Sequence, residues 1–384
     1  MQLNKIIVCP DSFKGSLKAT EVADIIRQRL LVHFPHTDVI SLPLADGGEG
    51  TLEVISQNCG KWESVNCEAH NPLMKKIYTS YLIDFASKTA IIESAGIIGL
   101  DLISPDKRNP LKASSFGLGE IVNDSINKGC KKIYITLGGT ATNDGGLGML
   151  AALGFKFYDQ LDNLLIPIGE NLKYINKIVL PDNVKKLRET DFFVVCDVTN
   201  PLTGENGATN IYGRQKGAND EIIKFLENGM INFAEVVERT LPEAKNKKSY
   251  PGAGAAGGLG FALQTFLKSK YKSGIKFIFQ MTEFEKRIEG ADLLITGEGR
   301  IDCQSLMGKV LNGILEIANQ RNIPLIAIGG KINDEIILKE AGIKNLFAIS
   351  NPVLSLNENI RKENAVVNLK RGVDKLSQYL QESL

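Results

Sequence analysis

The sequence predicts an α/β protein built on parallel sheets and divided into more than one domain. Three observations carry that expectation. Short apolar runs alternate with helical patterns. Glycine- and acid-rich segments recur where a run ends and a helical pattern begins, the place where open α/β sheets bind ligands. The rhythm changes between Trp62 and Ser94, where successive strand-like runs follow one another with no helix between them, which marks entry into a different domain.

Taken in order, residues 5–9 form a β-rich run, and Val22, Ile25, Ile26 and Leu30 then recur at helical spacing until Pro35. Residues 38–42 restart the strand pattern, which gives a βαβ unit. Residues 61–67, 76–85 and 89–92 are the three consecutive strands of the changed rhythm. Helix over 115–128, strand over 132–137 and strand over 192–196 restore the alternation, and Ile222, Leu226, Met230, Phe233 and Val237 mark one face of a long helix. Strands over 292–296, 325–328 and 346–349, each followed by a helical pattern, close the chain. Strands that alternate with helices imply parallel pairing.

The composition removes several function classes. With 384 residues and 43% hydrophobic content the chain has material for two or three domains with real cores, which rules out disorder as its main theme. Lys plus Arg number 45 and Asp plus Glu 44, so the net charge of +1 offers no basic field for nucleic acid or an anionic membrane. The six cysteines stand far apart without a C-x-x-C pair, which predicts reduced, mostly buried thiols. Met1 runs directly into a strand pattern, and no apolar run reaches membrane length, so the expectation is a cytoplasmic protein.

Five segments combine glycine with acid or amide residues: 10–16 (PDSFKGS), 45–51 (ADGGEGT), 138–146 (GGTATNDGG), 196–208 (CDVTNPLTGENGA) and 296–302 (TGEGRID). A sixth, 251–260 (PGAGAAGGLG), has glycine without acid. Glycine lets backbone amides approach an anion, and a following helix N-terminus adds partial positive charge. The acids suit Mg²⁺ held through carboxylates and substrate oxygens. Phosphoryl transfer needs both, together with cations, for which Lys14, Lys216, Arg300 and Lys309 are candidates. Taken singly, each segment is also ordinary turn and cap chemistry.

Two generic nucleotide motifs fail. Gly252, Gly254 and Gly257 match G-x-G-x-x-G, but polar residues 247–250 precede them and no acid stands about 20 residues on. A P-loop is absent, since Val310 follows Gly308-Lys309 and Cys303 holds the first glycine position. His33, His36 and His70 belong to no nucleophile or metal arrangement and are read as surface or capping residues.

In this order the six segments resemble those of the bacterial glycerate kinase family, and they span nearly the whole chain. The resemblance implies D-glycerate as acceptor, ATP as co-substrate, Mg²⁺ as cofactor and 2-phosphoglycerate as product. It also implies two α/β domains, a parallel-sheet Rossmann/flavodoxin-like outer domain of residues 1–69 and 285–384 with a second α/β domain, 70–284, inserted in it. On that basis Lys14, Arg300 and Asp302 are expected to be catalytic, one cation binding the glycerate carboxylate and the other neutralising the transferring phosphoryl group. Asp46 and Asp197 are expected to hold the metal. Asp11, Ser12, Gly47, Gly48, Glu49, Asn143, Asp144, Asn200, Lys216, Gly297 and Glu298 are expected to bind substrate or phosphate. Because all four follow predicted strands at their carboxyl ends, Asp11, Asp46, Asp197 and Asp302 are expected to converge on one cleft between the two domains. The bland counterpart is that Lys14 and Arg300 each make a surface ion pair.

The chain departs from the family pattern at two places: Arg214 stands in 213–218 (GRQKGA), where the family has proline, and Leu311 stands where another proline is expected. Neither change removes a charged group. The expected partner is a small-molecule substrate, with no nucleic acid or membrane, for a monomer or homodimer. An NAD-dependent dehydrogenase of a small 2-hydroxy acid would share substrate and sheet, but the failed dinucleotide fingerprint and the lack of a placed catalytic histidine oppose it. A non-catalytic sugar-acid sensor would call for a DNA-binding module, and no basic helix-turn-helix pattern is present.

Overall fold

The computed structural model describes residues 3–306 and 310–383, so the candidate cation Lys309 and its neighbour Gly308 lie outside the described residues. The chain forms two compact units. One comprises Met1–Asp46, Glu53–Cys59 and Gly274–Leu384, and the other Gly47–Leu52 and Gly60–Ser273.

The first unit is built on a five-stranded parallel sheet, ordered Asn345–Ala348, Leu325–Ile332, Leu293–Ile301, Lys5–Val8, Asp38–Ser41. In chain order this is the 2-1-3-4-5 arrangement of flavodoxin-like sheets, whose switch point lies between Lys5–Val8 and Leu293–Ile301. Ile6, Ile7, Val8 and Cys9 are fully buried, as they must be in a parallel strand covered on both faces. Ile6, Val8, Leu293, Ile295, Ile326 and Ile328 pack with Val22, Ile26 and Leu30 of helix Ala19–His33 and Leu369, Val373 and Leu376 of helix Lys362–Ser383. Helix Val310–Arg321 packs on the strand Leu293–Ile301.

The second unit holds a six-stranded sheet, ordered Lys270–Lys272, Asp191–Val195, Lys132–Thr136, Thr89–Glu93, Lys76–Asp84, Glu63–His70. The first four are parallel and the last two pair antiparallel. The changed rhythm between Trp62 and Ser94 is this antiparallel meander. Because Glu63–His70 pairs along its whole length with Lys76–Asp84, those residues belong to the second unit. Helices Phe116–Asn127 and Ala255–Phe266 and the long helix Asp220–Thr240 contribute Leu118, Val122, Leu259, Leu263, Met230 and Phe233 to its core.

One expectation is corrected. The segment 296–302 is a strand for most of its length rather than a loop, since Thr296 to Ile301 pair in register with Ala327 to Ile332. His33 and His70 are half-buried beside carboxylates, His33 Nε2 lying 2.7 Å from Asp374 and His70 Nδ1 2.9 Å from Glu120, while His36 is exposed. All six cysteines are free thiols; Cys9, Cys130 and Cys196 are buried and Cys303 is exposed. Among the described residues no helix is long and apolar enough to cross a membrane.

Candidate active site

The first unit places its chemistry at the carboxyl ends of its strands. Asp11 lies just past Lys5–Val8, and its amide donates to the Gly297 carbonyl across the switch point at 2.8 Å. The turn 13–17 closes through the Phe13 and Leu17 backbones and leaves Lys14 exposed at its tip. Opposite it, the extended strand carries Glu298 and Arg300, and Arg300 is in register with Lys331 on the neighbouring strand, so the two cations share one face. Gly330 has no room for a Cβ, which would meet the Gly299 carbonyl oxygen at 2.4 Å. These segments, with Ile349, Ser350 and residues of the last helices, line a cavity of about 520 Å³.

The cations that line the cavity are accessible, and two of them are paired with more buried carboxylates. Lys14 Nζ stands 3.6 Å from Asp46, and Arg300 Nε 2.9 Å from Asp302. Asp302 also accepts the Gln304 amide at 3.0 Å. Glu298 accepts the Ser305 hydroxyl. The Asp11 carboxyl is pushed up to about 7, first by burial and then by the charge of Asp46, against the pull of Lys14. Asp46 in turn raises the Lys14 amine, against its partial desolvation. Of the four aspartates expected together, Asp11, Asp46 and Asp302 belong to this unit.

The second unit carries Asp197, Asn143, Asp144, Asn200, Lys216 and segment 47–51. Asp197 accepts the Ser273 hydroxyl at 2.8 Å. Asn200 accepts from the Tyr212 hydroxyl and donates to the Asn206 carbonyl, both at 2.8 Å. Gly48 approaches Gly138 so closely that a Cβ there would meet its Cα at 2.8 Å. Asp144 is fully buried and accepts four hydrogen bonds, from the amides of Ser115, Gly146 and Gly148 and from the Ser115 hydroxyl, at 2.8 to 3.1 Å. Burial nonetheless raises its carboxyl. Lys216 is buried too, donating to the Thr142 carbonyl at 2.6 Å, and desolvation lowers its amine to about 7. Asn143 donates to Thr209 at 3.0 Å, while its buried Oδ1 has no hydrogen-bond partner.

Sequence reasoning missed Glu93. Its carboxylate, buried at the end of strand Thr89–Glu93, accepts the Gly50 amide at 3.2 Å and the Leu52 amide at 3.0 Å, fixing segment 47–52 at the start of helix Thr51–Asn58. Burial raises its carboxyl to about 7 against those two donors. An acid directly after an apolar β run was the available signal. Lys331 and Asn368 of the first unit's cavity were also missed: Lys331 follows Gly329-Gly330 at the end of an apolar run, a signal that was available, whereas Asn368 lies in a helix far from any glycine-rich segment.

Residues 6–381 match the model of the Glycerate kinase family. The chain belongs to the glycerate kinase family. It is 40% identical to the glycerate 2-kinase of Escherichia coli K12, with 93% of each chain covered. It is 39% identical to the glycerate kinase of Haemophilus influenzae, covering 93% of this chain and 94% of that one. A crystal structure from Salmonella typhimurium LT2, provisionally described as glycerate kinase 2, superposes with a TM-score of 0.83 at 36% identity over 99% of both chains. This glycerate kinase family member is therefore a kinase of α/β fold. Among the described residues no three His, Cys, Asp or Glu side chains gather as a metal cage.

Proposed function

We propose that the protein transfers the γ-phosphoryl group of ATP to the 2-hydroxyl of D-glycerate, giving 2-phosphoglycerate. The observation that carries this reading is the pair of accessible cations, Lys14 held by Asp46 and Arg300 held by Asp302, at the carboxyl ends of the first unit's strands. The 2-position is supported by the name of the Escherichia coli relative. Phosphoryl transfer needs little covalent help from a protein and much positioning and charge neutralisation.

On this reading one of Lys14 and Arg300 binds the glycerate carboxylate, and the other neutralises charge on the transferring group. Asp302, held by Arg300 and the Gln304 amide, accepts the proton of the attacking hydroxyl. Mg²⁺ fits the donor set. Asp11 and Asp46 are carboxylates close enough for one to raise the other, and this ion is commonly held by one or two carboxylates plus substrate phosphates. When bound it would neutralise phosphate charge. Of the two metal-holding aspartates expected, Asp46 is the one in this unit, and Ser12 and Glu298 line the cavity.

The test is to incubate the protein with ATP, Mg²⁺ and D-glycerate and to identify the product by phosphorus NMR. Formation of 2-phosphoglycerate, dependent on the metal, is expected. ATP left intact, or NADH oxidised with hydroxypyruvate instead, would overturn the assignment.

A further inference from the structure

Resting on the reading that ATP is the donor, we propose that the first unit's cavity is the nucleoside-triphosphate site. The base lies against the apolar wall of Ile349, Leu356, Ile360 and Ala365, and the phosphates point to Arg300 and Lys331, which leaves Lys14 for the glycerate carboxylate. The cavity is divided along its length. Every charged group that lines it belongs to segment 11–16 or to the ends of strands Leu293–Ile301 and Leu325–Ile332. The far side, from Ile349 and Ser350 to the helices Leu356–Asn359 and Lys362–Ser383, carries apolar, hydroxyl and amide side chains and no charge.

Glycerate alone does not match this shape. It is polar at every carbon, so it would satisfy the charged end and leave the apolar wall wet. A volume of about 520 Å³ lies within the range of about 300 to 1,000 Å³ in which pockets enclose ligands of nucleotide size. Leu356 and Ile360 are 68% and 40% exposed, and a flat base laid on them removes apolar surface from water.

The wall is braced by amide side chains that themselves line the cavity. Asn359 donates to the carbonyls of Asn351, Leu354 and Ser355 and accepts from Asn368, which ties segment 351–359 to the long helix. At the charged end Arg300 and Lys331 stand in register on one face, a spacing suited to successive phosphates. Asp11, which lines the same cavity, suits the divalent ion that accompanies a triphosphate.

The experiment uses the full chain, titrated calorimetrically with MgATP and with magnesium tripolyphosphate, which has the phosphates but no base. A double variant, Leu356→Asn with Ile360→Asn, removes the apolar wall without adding charge, and both positions are exposed, so folding is checked simply by melting temperature. It is expected to weaken MgATP by about tenfold or more while leaving tripolyphosphate within about twofold of wild type. Lys331→Met is expected to weaken both ligands. MgATP binding unchanged in the double variant, or a raised KM for glycerate with ATP affinity intact, would overturn the assignment. A wild-type protein that binds MgATP through this wall but does not phosphorylate glycerate would sink the proposed function and leave the nucleotide site standing. One that phosphorylates glycerate, with ATP affinity indifferent to the wall, would do the reverse.

Discussion

Arg300 and Lys14 make ion pairs while remaining mostly exposed, the side chains being 66% and 73% accessible. Such pairs contribute about 0 to 1 kcal/mol to stability, so their removal should hardly move the melting temperature. Arg300→Lys keeps the charge but loses the planar fork. On the phosphoryl-transfer reading it lowers kcat/KM by about 100-fold or more with an unchanged melting curve, as does Lys14→Ala. Near-normal steady-state kinetics in both variants would remove these residues from the mechanism. Asp144 is the opposite case among the residues expected to bind substrate. It is fully buried, and its loss strands the Ser115, Gly146 and Gly148 amides without an acceptor. Each buried unsatisfied group costs about 1 to 3 kcal/mol, so Asp144→Ala should destabilise the protein by about 3 kcal/mol or more in denaturant melts. A variant as stable as wild type would show that those amides find water or another partner.

Elements decided by their own residues are legible in the sequence. The long helix Asp220–Thr240 declares itself by apolar residues at helical spacing, and the buried strands by unbroken β-branched runs. Elements decided by a partner are not. Strand Lys270–Lys272 is Lys-Tyr-Lys, with no alternation, and is a strand because it pairs with Phe193 to Val195. Residues 297–301 read as a loop for their glycines, yet Gly297 serves a strand, since a Cβ there would meet the Ile328 carbonyl oxygen at 2.5 Å. The same limit holds for the site. Glycine and acid mark the right segments, but which acids are sealed inside and which line a cavity depends on packing. Segment 251–260 illustrates the point. Ala256, Gly257 and Gly258 are successive left-handed residues, and a Cβ on Gly257 would meet the Thr142 carbonyl oxygen at 2.1 Å. Gly257→Ala should therefore unfold or severely destabilise the second unit. Gly129→Ala, at a φ of +89° with open space around it, should cost only about 1 to 2 kcal/mol. Equal melting temperatures for the two variants would contradict the crowding.

At the scale of the whole molecule, two buried ionisable groups give stability a pH dependence that can be separated by substitution. Glu93 is raised from 4.5 to about 7, while Lys216 is lowered from 10.5 to about 7. A raised carboxyl binds its proton more tightly in the folded protein than in the unfolded chain. Its contribution is present at low pH and is lost as pH climbs from the unfolded value to the folded one. Lys216 has the opposite sign. The unfolded chain holds its proton more tightly, so stability is recovered as pH rises from about 7 towards 10.5. Other carboxyls, such as Asp374 beside Arg29 and His33, are lowered in the fold and lose their contribution only in more acid solution. The informative quantity is therefore a difference between proteins at matched pH. Glu93→Gln keeps the shape and hydrogen-bonding oxygen but cannot ionise, so between pH 4.5 and 7 wild type should lose on the order of 3 kcal/mol relative to it. Lys216→Met should lose the gain above pH 7 while starting from lower stability, because the Thr142 carbonyl loses its donor. Urea melts of the three proteins at about pH 5, 7 and 9 decide it, and curves that run parallel across the range would show that neither group carries its shift into folding.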